Sequence, residues 1–109
     1  MAKNLQLVLL LDCYGELLTE RQRDLAELYY NEDLSLSEIA EMRSITRQAV
    51  RDSLRHSEAF LLDTEQKLGM AARIGAMRRC LEAIRLQCSK EQPDPVKITE
   101  LTEQGLLLL

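Results

Sequence analysis

Turn formers are scarce in this chain, with four glycines and two prolines among 109 residues. That excludes a hairpin-rich all-β fold and favours helices. Aromatic residues are equally few. Tryptophan is absent, and Tyr14, Tyr29, Tyr30 and Phe60 complete the aromatic set, so the core is aliphatic. His56 is the single histidine, and no glycine-rich phosphate loop is present. Most catalytic chemistries are thereby short of parts, so no catalytic residue is assigned and the chain is read as a non-enzyme. The three cysteines, Cys13, Cys80 and Cys88, form no CxxC pair, and one imidazole adds too little for a zinc site. They read as reduced thiols. No apolar run approaches the ~20 residues of a membrane span, and the start carries no secretory pattern. The expectation is a cytoplasmic protein without membrane, metal or cofactor.

What is present is a helix former's composition, 46% hydrophobic and 29% charged, in a length that suits one domain. The net charge of −4 conceals a segmental pattern. Residues 1–42 carry −6, whereas residues 43–57 carry +3 from four arginines set against Asp52. Residues 70–92 again carry +3. An acidic chain with one focused basic stretch is unsuited to coating nucleic acid non-specifically, but the local field remains attractive to phosphate.

Six helices are legible. The first spans about Asn4 to Tyr14, and its run Leu7 to Leu11 is apolar almost all round, more than one core demands. Thr19 with Gln22, and Ser35 with Glu38, are capping boxes that open the second and third helices. Thr46 caps a fourth, which meets no breaker before Gly69, a residue suited to a left-handed C-cap. Val50, Leu54, Ser57, Leu61, Thr64 and Leu68 recur along it at heptad spacing. Met70, Ile74, Met77, Leu81, Ile84 and Cys88 repeat that rhythm in a fifth helix, where the methionines read as core filler. After Pro93 and Pro95 a short helix is expected over 96–104, and Leu106 to Leu109 has no interpretable pattern. The organisation is thus 1–69, a helix-turn-helix domain, and 70–109, a helical tail.

The helix-turn-helix lies between Leu36 and Leu54. A short capped helix carries Ala40 where two helices cross closely, a turn ends in Ile45, and a second capped helix packs inward through Ala49, Val50 and Leu54. This layout holds a recognition helix, about 46–56, clear of the body for a major groove. At ~100° per residue, Gln48, Arg51, Asp52 and Arg55 face away from Val50, with Arg47 at the flank. Arg and Gln read guanine and adenine edges bidentately, and Asp accepts from cytosine, so these four are the base-reading candidates. Arg43, Thr46 and Arg47, at the turn and helix start, are the phosphate candidates. Four arginines without a lysine suit planar recognition. The competing reading of the same stripe is an ordinary solvated face.

Several segments together resemble a known family. These are Leu17 to Arg23, Leu28-Tyr29-Tyr30, Asp33 to Ala40, Thr46 to Val50 and Lys67 to Met70. They look like the YlxM-like family of small bacterial helix-turn-helix proteins, itself similar to the promoter-reading region 4 of sigma factors. The resemblance covers about residues 12–70 and implies an all-α fold of sigma-region-4 type and a DNA-binding regulatory role in the bacterial cytoplasm. It also implies an association with the signal recognition particle pathway, as an adaptor binding protein or structured RNA. Two positions depart from the family pattern. Arg43 replaces a large apolar residue beneath the turn, and Ser44 stands where Gly or Asn is usual. A left-handed serine costs roughly 1 kcal/mol.

The surplus of apolar surface predicts a homodimer. Its expected interface uses Leu7, Leu10 and Leu11 of the first helix, or Ile74, Met77, Leu81 and Ile84 of the fifth.

Overall fold

The computed structural model describes residues 3–109, and every regular element among them is helical. Helices α1 (Leu5–Tyr14), α2 (Glu20–Tyr30), α3 (Leu36–Arg43), α4 (Arg47–Leu68), α5 (Met70–Cys88) and α6 (Pro95–Leu107) follow in order, with a single 3-10 turn at Gly15–Leu17. They fall into two compact units, one ending at Leu68 and the other formed by Gly69–Leu109. None of the described helices is long and apolar enough to cross a membrane.

In the first unit α4 packs against α1, α2 and α3. Leu10, Leu25, Ile39, Val50 and Leu61 have lost almost all contact with solvent, each burial worth ~1.5–3 kcal/mol. The helix starts follow the capping chemistry. Asn4 accepts from the Gln6 N–H, and both capping boxes, Thr19–Gln22 and Ser35–Glu38, are closed in both directions. The first half of the α4 seam is interior, at Val50, Leu54, Ser57 and Leu61, while Leu68 is half exposed.

This packing corrects one expectation. Leu7, Leu10 and Leu11 are buried inside their own unit, at 6%, 1% and 4% exposure, so no second copy can reach them. The apolar surplus of α1 has a simpler cause, since the helix is covered by both α2 and α4. Leu5 and Leu9 are its exposed leucines.

The second unit is a pair of packed helices, α5 and α6. Gly105 lets them approach closely, since a Cβ there would touch Met77 Sδ and Cys80 Cβ. Gly69, at φ +62°, occupies the left-handed conformation between α4 and α5. The final helix is longer than 96–104. Asp94 accepts from the Val96 and Lys97 N–H groups and Pro95 takes the first turn, where its missing N–H costs nothing. Proline here starts a helix rather than merely breaking one. Leu106 and Leu107 belong to it as well. The reading of the α5 methionines as core filler is corrected for Met70, which stays 42% exposed, whereas Met77 is half-buried with its sulfur beside Gly105.

Candidate nucleic-acid interface

Three residues turn the chain between α3 and α4. Ser44 adopts the left-handed conformation (φ 55°, ψ 42°), and the Ile45 N–H reaches back to the Ala40 carbonyl at 3.0 Å. This is a Schellman-type closure, which satisfies the end of α3 without a glycine. Thr46 then caps α4, its Oγ1 accepting from the Ala49 N–H at 3.0 Å. Hydrogen bonds between side chains hold α4 to the helices beneath it. The Tyr14 hydroxyl donates to Glu65 Oε1 at 2.6 Å, and the Tyr30 hydroxyl donates to Glu58. Burial, then the Glu58 carboxylate, pushes the Tyr30 phenol well above its ordinary range, so it stays a donor.

On this support the start of α4 turns a polar face outward. Arg47, Gln48, Arg51, Asp52, Arg55 and His56 are all exposed. Among the described residues, no carboxylate pairs with Arg47, Arg51 or Arg55. An arginine left unpaired in an acidic chain keeps its five donors for an outside acceptor. Gln48 and Asp52 are linked instead, Nε2 donating to Oδ1 at 2.9 Å across one helical turn. That contact leaves the second Nε2 proton and Oε1 of Gln48 directed elsewhere.

Arg43 behaves differently from its neighbours. Its Nε and Nη2 donate to the two carboxylate oxygens of Asp24, at 2.7 and 2.9 Å. The fork clamps the end of α3 to α2. The hydrogen bond from Arg43 lowers the Asp24 pKa, and the same contact raises that of the guanidinium. Arg43, a phosphate candidate by sequence, thus spends its fork on an ion pair with Asp24 in this structure.

Sequence reasoning missed Asp24, Glu58, Glu65 and Lys3. The Lys3 ammonium donates to the Tyr29 and Leu34 carbonyls and lies 3.7 Å from the centre of the Tyr29 ring. It bridges the α2–α3 turn, where Asp33 is left-handed. No local pattern marks these partners, which lie 19 to 51 residues away in the chain.

Comparison with known proteins agrees with this geometry. The model of the UPF0122 family, described as "Putative helix-turn-helix protein, YlxM / p13 like", matches residues 1–101. A UPF0122 protein of Desulforamulus reducens is 52% identical over 73 residues, covering 67% of this chain and 62% of that protein. One from Clostridium kluyveri is 51% identical over 70 residues, covering 64% of this chain and 63% of the relative. Against each of these two, the match spans less than two thirds of the relative's length. The UPF0122 protein of Geobacillus kaustophilus is 35% identical over 104 residues, 95% of this chain and 94% of its own. The chain belongs to the UPF0122 family of YlxM/p13-like helix-turn-helix proteins.

Proposed function

We propose that this UPF0122 member is a regulatory protein that binds double-stranded DNA, with the first three turns of α4 lying in the major groove. The observation that carries the reading is the outward face of α4, where Arg47, Arg51 and Arg55 are exposed and, among the described residues, unpaired, in a chain of net charge −4. Gln48, Arg51 and Arg55 read base edges, Arg for guanine and Gln for adenine. Asp52 accepts from a cytosine amino group or holds the Gln48 amide. Arg47 and the Thr46 hydroxyl contact phosphate at the helix N-terminus, where the helix dipole favours an anion. A protein working on the chromosome in this way is cytoplasmic.

The test is a set of titrations at two salt concentrations. Its arms are random-sequence duplexes enriched by selection, the RNA of the signal recognition particle, and that particle's protein component. Submicromolar duplex binding with selected sequence preference supports the proposal. The major groove of A-form RNA is too deep and narrow for a helix to read. Preference for the RNA or protein arm, with duplex binding weak, would replace the DNA reading by an adaptor role in protein targeting. That role rests on family resemblance and on no contact of α4.

A further inference from the structure

The second unit leaves an open groove of about 630 Å³ along α5, reaching the end of α6. Its floor is apolar: Met70, Ile74, Met77 and Leu81, with Leu108 and Leu109 closing one side. Ile74 and Leu81 are 48% and 58% exposed. Arg78 and Arg85 line the groove beside Glu82, and the described residues place no ion pair on them. A flexible methionine-containing floor under arginines fits a helix that is partly apolar and carries acidic side chains.

The same chain presents such a helix. On α6, Leu101 and Gly105 are buried. At ~100° per residue the opposite face collects Val96, Glu100, Glu103 and Leu107, and Val96 and Leu107 are 66% and 87% exposed. This stripe is apolar at its ends and acidic in its middle.

We infer that two copies of this chain pair through their second units, the outward face of α6 in one copy lying in the arginine-lined groove of α5 in the other, and reciprocally. Glu100 and Glu103 of each copy then meet Arg78 and Arg85 of the other. Pairing α5 directly with a second α5 is the poorer arrangement. Arg78 and Arg85 flank the Met70–Ile74–Met77–Leu81 seam at the positions where coiled-coil partners exchange salt bridges, so two identical helices would oppose like charges. Reciprocal contact is closed by a two-fold axis and makes no open chain. The inference does not depend on DNA binding.

Sedimentation equilibrium of the full chain between 1 and 100 μM tests it. Wild type is expected as a dimer, at twice 12.5 kDa. R78E/R85E and E100R/E103R are each expected to weaken the dimer by about tenfold or more, with helicity by circular dichroism unchanged. Combining all four reversals restores complementary charge and is expected to recover dimerisation, as a double-mutant cycle requires. A wild type monomeric throughout the range overturns the proposal. So does a dimer that R78E/R85E strengthens, which would indicate α5 on α5, or a dimer indifferent to every reversal.

Discussion

Arg43 sits in the most basic stretch of the chain yet spends its guanidinium on Asp24, and both partners keep about 40% of their side-chain exposure. Solvent screening at that exposure keeps the contribution of the pair small. Its pH dependence has a definite sign. The folded Asp24 pKa lies below the ordinary value, so the stabilisation is fully present above the unfolded pKa of about 4. It is lost as pH falls through the lower folded value. Urea midpoints should therefore separate Arg43→Ala from wild type at pH 7 and converge toward pH 3. Ser57 poses the opposite case, because its Oγ is buried and has no hydrogen-bond partner among the described residues. Ser57→Ala removes an unsatisfied polar atom and should be neutral or stabilising by up to about 1 kcal/mol, measured by the same midpoints.

At the scale of elements, α4 is the beam on which the first unit is assembled, and two tyrosines fasten it. Tyr14 at the end of α1 and Tyr30 at the end of α2 bond to Glu65 and Glu58, two turns apart on α4. Tyr30→Phe should cost about 1–2 kcal/mol, since it leaves the partly buried Glu58 carboxylate short of a donor. Thermal unfolding with Glu58→Gln as a control checks whether the charge or only the hydrogen bond matters. The turn before α4 is held in a conformation that serine tolerates poorly. Ser44→Gly should raise stability by up to about 1 kcal/mol without altering the fold, and Ser44→Val should lower it.

Across the whole molecule, burial is divided unevenly. Leu101 is the single buried hydrophobic side chain of the second unit among the described residues, while the first unit holds twelve. Amides of α5 and α6 should accordingly exchange with solvent faster than those of α2 and α4 at low concentration. Pairing of copies would make that protection rise with concentration, whereas protection of α4 should stay constant. The DNA reading makes its own demand on the molecule. Arg47→Ala should weaken all duplexes alike and lower the salt slope by about 1, while Arg51→Ala should cost roughly 1–3 kcal/mol on the selected site and flatten specificity. Filter binding at several salt concentrations separates the two. Equal affinity of all variants for the selected site would reduce the stripe to a solvated surface.

The helical class, both capping boxes, the Thr46 cap, the α4 limit at Gly69 and the helix-turn-helix that the family model matches are all legible in the order of residues alone. Each of these is written in interactions between residues a few positions apart, or in a period of apolar side chains. The tertiary structure decided where the ambiguous apolar runs are spent. The apolar runs of α1 and α5 carry equally strong patterns, yet Leu7, Leu10 and Leu11 are interior while Met70, Ile74 and Leu81 lie open, because burial depends on which helices come to cover a face. Arg43 shows the same limit for charge. Its position among four basic residues points outward to phosphate, but the carboxylate that holds it is 19 residues away and is brought within 2.7 Å only by the crossing of α2 and α3.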